Sequence, residues 1–193
     1  MAGKWKEAFL TDNPIYLELG CGKGVFTAKL ARQNPDINLI AIELITEMLL
    51  VTKRNIEKEY LEYEKEIDNV LITTYNVEQI LNIMNEADTV DRIYINFCNP
   101  WPRAGHKKRR LTHTRQLEKY KVFLNKGAQI HFKTDDDDLF FESIKYFEES
   151  GFEIIYKTLD LYSDDNVDNI VTEHELKFTR QGIKIKKLIA LLT

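Results

Sequence analysis

The sequence predicts an α/β protein organised around a mainly parallel, seven-stranded sheet with helices on both faces. Short apolar runs of strand length recur along the chain and alternate with longer segments of helical period, without an internal repeat. Those runs are apolar almost throughout, the composition of strands covered on both sides. A glycine-rich turn, Gly20-Cys21-Gly22-Lys23-Gly24, follows the first run and leads into a helical segment, as at the ligand-binding edge of an open α/β sheet.

In chain order, the first strand is expected at residues 15–19 and its helix at 25–33. A second strand follows at 38–43, then a long helix at 45–63, whose charged end from Ile56 to Glu66, with Tyr60 and Tyr63, reads as solvated surface. Strand three is placed at 70–74, with a helix at 77–84, and strand four at 92–97. Helix 112–123, strand 128–133, helix 136–149 and strands 152–159 and 183–191 complete the order, with the polar stretch 163–169 as a loop.

A chain of 193 residues with 44% hydrophobic content suffices for one core, so a single domain over residues 1–193 is expected. No apolar stretch approaches a membrane span, and the first nine residues lack the apolar region of a signal peptide. Cys21 and Cys98 are too few and too distant for a disulfide framework or a zinc site, so they read as reduced thiols in a cytoplasmic protein without membrane contact. The net charge of −4 argues against indiscriminate nucleic-acid binding. Its distribution is uneven: residues 103–110 hold five formal positive charges, which leaves the remainder of the chain at −9. That is a local docking patch on an acidic body.

Glycines at the carboxyl edge of a parallel strand let a ligand approach the backbone. The dinucleotide fingerprint G-x-G-x-x-G is absent, because Val25 stands where its third glycine belongs. What remains, Glu18 followed by Gly20, Gly22 and Gly24, resembles motif I of the Rossmann-like class I S-adenosylmethionine-dependent methyltransferases. Glu43 ends the second strand, where a carboxylate can accept both hydroxyls of a ribose. Asn76 has two readings, a contact to an adenine edge or the N-cap of the helix after it.

The fourth strand must end at the same sheet edge, so Asn99-Pro100-Trp101-Pro102 overhangs the ligand pocket. Its prolines restrict the backbone and hold the groups between them rigidly, as group transfer requires. The cations just beyond suit phosphates. Phe97-Cys98-Asn99-Pro100-Trp101-Pro102, followed by His106-Lys107-Lys108-Arg109-Arg110-Leu111-Thr112, resembles the signature of the bacterial tRNA (guanine-N7)-methyltransferases. Ile130-His131-Phe132-Lys133-Thr134-Asp135 is similar to that family's fifth strand, and Thr172-Glu173-His174-Glu175 to its late Thr-x-x-Glu element.

The resemblance implies methyl transfer from S-adenosyl-L-methionine to N7 of the variable-loop guanosine of tRNA. It places Glu18, Gly20, Gly22, Glu43, Asn76 and Asn99 in the cofactor pocket, and Asn99 and Asp135 at the reacting groups. Arg103, Lys133, Asp135, Thr172 and Glu175 fall where the family contacts the guanosine, Glu175 being suited to the guanine N1–H and exocyclic amine. His106, Lys107, Lys108, Arg109 and Arg110 fall on its RNA-contacting stretch. Two departures stand out: Asn99 occupies a position usually held by Asp, and the family generally has a longer segment before Trp5. Guanine N7 carries a lone pair and no proton, so activity is expected to survive the first departure at a reduced level.

The run Asp135-Asp136-Asp137-Asp138 suits the first turn of a helix and needs no ion, and the four histidines lack ligand spacing, so no metal is assigned. Two rivals stay open: a methyltransferase of the same fold with a non-RNA substrate, for which the cation block is idle, and a catalytically impaired tRNA-binding homologue. Monomer and homodimer are equally compatible with the sequence.

Overall fold

The structure is a computed structural model that describes residues 1–164 and 168–193; part of the polar loop expected at 163–169 therefore lies outside the described residues. Seven strands form one sheet: β1 (Ile15–Leu19), β2 (Asn38–Glu43), β3 (Val70–Thr74), β4 (Val90–Asn96), β5 (Leu124–Thr134), β6 (Phe152–Thr158) and β7 (Lys186–Leu192). The helices are α1 (Val25–Gln33), α2 (Thr46–Glu62), α3 (Thr114–Tyr120), α4 (Asp137–Glu149) and α5 (Glu173–Thr179). The strand order is β3-β2-β1-β4-β5-β7-β6. Strands β1 to β5 pair in parallel, and β7 runs antiparallel between β5 and β6. After β1 the chain moves outward to β2 and β3, then returns to place β4 on the other side of β1. The loops after β1 and β4 consequently diverge and open a crevice at their carboxyl ends.

Residue alternation along each strand divides the core. On one face, Leu17, Ile93, Ile95, Ile130 and Phe132 pack with Leu117 and Tyr120 of α3 and Phe140 and Phe147 of α4. On the other, Leu39 and Tyr94 meet Phe26 and Leu30 of α1 and Ile56 and Tyr60 of α2. Tyr60 is thus core, which corrects the expectation of a solvated helix end. It lies four residues from Ile56, on the same helix face. Its hydroxyl donates to Asn69 Oδ1, and the Asn69 amide donates to the carbonyls of Ala31, Asn34 and Ile37 at 3.0–3.1 Å.

Three local features bear on the site, two of them different from expectation. The helix expected at 77–84 is a 3-10 helix, Val77–Asn82, interrupted at Gln79 and capped by Asn76, whose Oδ1 accepts from Glu78 N at 2.9 Å. The basic block forms a second 3-10 helix, Ala104–Arg109. The acidic run starts α4 as expected: Asp136 is the N-cap, its Oδ1 accepting from Leu139 N at 2.6 Å, with Asp137 and Asp138 in the first turn.

Gly24 joins the turn to α1 at φ +73°, and a Cβ there would lie 2.4 Å from Thr52 Cγ2 on α2. Both the left-handed backbone and this close helix approach demand glycine. Gly24→Ala is expected to lower the unfolding free energy by about 2–5 kcal/mol in urea denaturation; a loss below 0.5 kcal/mol would show that the α1–α2 contact is readily relaxed.

Candidate functional site

The turn after β1 is clamped from two sides. Gly22 N donates to Glu43 Oε2 at 2.8 Å, while Leu44 N and Ile45 N donate to Oε1 of the same carboxylate at 2.8 and 3.1 Å. From α2, Thr52 Oγ1 donates to the Gly22 carbonyl and Asn55 Nδ2 to that of Lys23, each at 2.8 Å. Gly20 and Gly22 have positive φ, and a Cβ on either would meet open space, so the backbone is bare toward the crevice. That crevice is a cleft of about 440 Å³, bounded by the turn, Phe26, Asn96, Phe97 and the start of α5.

Glu18 lies on its floor, 2% exposed. Burial pushes its carboxyl up to about 7, against the pull of the Thr27 hydroxyl, which donates to Oε2 at 2.5 Å. The Asn96 amide also faces Glu18 and favours its ionised form, although its buried Nδ2 meets no partner at hydrogen-bond geometry.

The turn after β4 is strained and held. Phe97 and Trp101 adopt φ of +54° and +42°, the left-handed region that costs side-chain-bearing residues about 1–3 kcal/mol each. The Phe97 ring stacks on His174 of α5, with centroids 5.6 Å apart and planes 15° from parallel. Asn99 Oδ1 accepts from Trp101 N at 3.0 Å, and the Arg109 guanidinium sits 4.1 Å over the Trp101 ring. Asp135 follows β5, the strand beside β4, and its carboxylate makes no hydrogen bond or ion pair among the described residues.

Several expected contacts are corrected by burial. Glu175 is 0% exposed, and its carboxylate accepts from Lys133 Nζ (2.6 Å), Thr172 N (3.0 Å), Asn169 Nδ2 (2.7 Å) and Tyr162 Oη (3.3 Å). Four donors fill its lone pairs, leaving none for a guanine edge. Lys133 is held by the same pair, 4% exposed, and its side chain lines the neighbouring groove instead of the cleft. Burial pushes Glu175 up, yet Lys133 and the other donors hold its carboxyl below the ordinary value; burial pulls the Lys133 ammonium down. Thr172 lines the cleft and caps α5 through its hydroxyl.

Arg110, expected on the RNA-facing surface, is 1% exposed; its Nε donates to the Pro100 carbonyl at 2.6 Å and it pairs with Glu142 of α4. Lys107 pairs with Glu142 and Arg109 with Glu78 at 2.9 Å. Arg103, His106, Lys108 and Arg109 remain exposed, Arg109 with its Nε on Glu78. Asn76 acts as the N-cap, and Gly20, Gly22, Glu18 and Glu43 gather at the turn as expected.

Sequence reasoning missed the helix α5; His174, inside the Thr172–Glu175 element the resemblance placed at the guanosine, lines the cleft, as do Lys177, Phe26 and Met48, to which no role was assigned. A signal was present: Thr172-x-x-Glu175 is the spacing of a capping box, and both reciprocal bonds form. A separate groove of about 790 Å³ lies on the α1 face of the sheet, lined by Arg92, Tyr94, His131 and Lys187, and it meets the cleft at Phe26 and Asn96.

A sheet of this strand order with an antiparallel seventh strand, a glycine turn after β1 and an acid closing β2 defines a Rossmann-like, S-adenosylmethionine-dependent methyltransferase. The methyltransferase family model Methyltransf_4 matches residues 12–188. The chain is 59% identical over 189 residues to the tRNA (guanine-N(7)-)-methyltransferase of Clostridium beijerinckii, covering 98% of this chain and 86% of that one. It is 50% identical to the enzyme of that name from Acetivibrio thermocellus, covering 97% and 86%. It belongs to the family of bacterial tRNA (guanine-N7)-methyltransferases. Among solved structures, 16S rRNA methyltransferase KamB superposes with a TM-score of 0.70 at 13% identity, covering 100% of this chain and 94% of that one. A SAM-dependent methyltransferase from Aquifex aeolicus gives 0.61 at 14%, covering 97% and 87%.

The residues present fit the cofactor. Bare glycine backbone, a buried carboxyl for a cationic amine, an amide nitrogen without a partner and an acid closing β2 form one donor and acceptor set along the cleft.

Glu18 also affects stability. Its folded value, about 7, stands above the ordinary 4.5, so the native state binds more protons between those limits and stability falls as pH rises from about 4.5 to 7. The shift corresponds to roughly 3 kcal/mol. Urea denaturation at pH 5 and 8 is expected to show Glu18→Gln recovering much of that loss at pH 8; equal stability differences at both pH values would show that Glu18 is not the titrating group.

Proposed function

We propose that this chain methylates N7 of a guanosine in the variable loop of tRNA, in the cytoplasm. The observation that carries this is one sheet edge: the bare glycine turn, the rigid Asn99–Trp101 turn and the unpaired Asp135 carboxylate stand together, with the exposed Arg103 and Lys108 beside them. The 50–59% identity to relatives bearing that activity supports it.

When bound, S-adenosylmethionine supplies an electrophilic methyl group on sulfur. Glu18 receives a cationic amine on the cleft floor, and Glu43 keeps one lone-pair site for a ribose hydroxyl beyond the three amides it already accepts. N7 needs no deprotonation, so the residues act chiefly by position. Phe97 fixes one wall of the cleft, and the Asn99–Trp101 turn that follows it is set before substrate arrives. Asp135 accepts from N1–H and the exocyclic amine of guanine, a donor pair adenine lacks, and its charge stabilises the cationic product ring. The base must leave its stack to reach the cleft. Arg103 and Lys108, with His106 alongside, face the phosphates. Phosphate-directed cations fit an RNA substrate better than a protein or small molecule.

Transfer of labelled methyl to unmodified tRNA transcripts tests this directly. Label is expected on a transcript with guanosine in the variable loop and not on one with adenosine there; equal labelling of both, or of neither, would overturn the reading. A second outcome concerns the missing charge at Asn99. The side chain is exposed and its Oδ1 already caps Trp101, a role an aspartate performs identically, so Asn99→Asp changes charge while preserving the turn. Solvent screens that charge, and kcat is expected to rise no more than about tenfold. A gain of three orders of magnitude would make that carboxylate the dominant electrostatic group.

A further inference from the structure

The block Lys107-Lys108-Arg109-Arg110 looks uniform in sequence, yet its side chains go to three different places. Arg110 is the C-cap of the 3-10 helix Ala104–Arg109, its N donating to the Lys107 carbonyl at 3.0 Å; residues three apart eclipse in such a turn, so Lys107 and Arg110 leave on the same side. Both reach Glu142 in the second turn of α4. These two cations hold the Glu142 carboxyl below its ordinary value, the Lys107 hydrogen bond contributing most. Arg109 departs on another side, to Glu78 and the Trp101 ring. Lys108 points to solvent.

Arg110 is the connection that matters. It is almost wholly buried, and its guanidinium bridges two partners: Nε donates to the Pro100 carbonyl, inside the strained turn, and Nη1 meets Glu142. Beside it, Thr112 and Ser143 share a buried hydrogen bond of 2.6 Å between the same two segments. The helix that carries Glu142 is capped by Asp136, next to Asp135. A continuous path therefore runs from the turn holding Asn99, through Pro100, Arg110 and Glu142, along α4, to Asp135.

We propose that Arg110 and Glu142 form a strut that sets the separation of the Asn99 turn from Asp135, making Arg110 a positioning residue for methyl transfer and not an RNA contact. The inference rests on the proposed methyl transfer for its rate effect and on the geometry alone for its effect on the turn. A guanidinium suits the task because it donates in two directions from one rigid plane; a lysine ammonium in the same burial cannot span both acceptors.

The test uses the full chain with Arg110→Lys, Arg110→Gln, Glu142→Gln and, for comparison, Lys108→Gln. Three quantities are read: hydrogen exchange of the peptide covering residues 97–103, the salt dependence of tRNA binding, and the single-turnover rate at saturating tRNA and cofactor. Arg110→Lys and Glu142→Gln are expected to speed exchange in that peptide at least fivefold and slow the turnover at least tenfold, with tRNA affinity and its salt slope unchanged. Lys108→Gln is expected to flatten the salt slope by about one and leave exchange unchanged. Arg110→Gln, which removes the charge, would weaken tRNA affinity and flatten its salt slope by about one if Arg110 were a phosphate contact, and that result would overturn the proposal, as would unaltered exchange in both Arg110→Lys and Glu142→Gln. If the wild-type protein transfers no methyl to tRNA, the proposed function fails separately, and the exchange result still decides whether the strut exists.

Discussion

The buried pair of Lys133 and Glu175 is the interaction on which the site's shape depends. Lys133 is the penultimate residue of β5, and Glu175 lies in the first turn of α5, 42 residues later. An isolated buried charge of either sign would be costly, so each holds the other inside, and the remaining donors to Glu175 complete the arrangement. Through this pair α5 is drawn across the carboxyl edge of the sheet. His174 then meets Phe97, and Thr172, His174 and Lys177 become one wall of the cleft. Lys133 also favours the ionised form of Glu18, although burial dominates there. One cation thus organises two carboxylates with different outcomes: Glu175 is fully supplied with donors and stays ionised, while Glu18 has few and sits near neutrality.

That difference separates structural acids from ligand-receiving ones. Glu175 has spent its lone pairs on the protein. Glu18 accepts from one hydroxyl at hydrogen-bond geometry and faces an amide without a partner, which is the condition of a group awaiting a cationic donor. Glu43 is intermediate, tying three backbone amides at the edge of the turn. The Asp135 carboxylate has no donor among the described residues and follows β5 at the same sheet edge. Moving outward from Glu175 to Asp135, the acids of this edge pass from holding the fold to being available for substrate.

Much of the architecture was legible because it depends on short-range pattern. The strands from 15–19 to 70–74 fall where apolar runs placed them, and the acidic run after Thr134 starts α4, since its N-cap chemistry involves only neighbours. Legibility failed where a partner is distant in sequence. Arg110 and Lys108 are indistinguishable as charges; one is buried only because Glu142 lies 32 residues away on a helix that folds back beside it. Tyr60 looked like part of a charged surface until Asn69 and the end of α1 surrounded it. The element Thr172-Glu175 was read as a substrate contact, although its spacing also announced a helix start.

The same distinction explains why an exposed cation patch and a rigid turn share one segment. A turn with two residues in left-handed backbone relaxes unless it is overdetermined, and the turn has anchors beyond the Asn99 cap and its prolines. Arg109 presses on the Trp101 ring, Arg110 anchors the Pro100 carbonyl, and each is fixed in turn by a glutamate on a different element. The cations that stay exposed, Arg103, Lys108 and the guanidinium end of Arg109 beyond its Nε, are left for phosphate. An arginine- and lysine-rich block is well suited to both tasks, because long side chains anchored at the same backbone can reach inward or outward as partners dictate. Docking charge and turn rigidity thereby come from one run of residues, which keeps the RNA-facing surface in fixed register with the wall of the cleft.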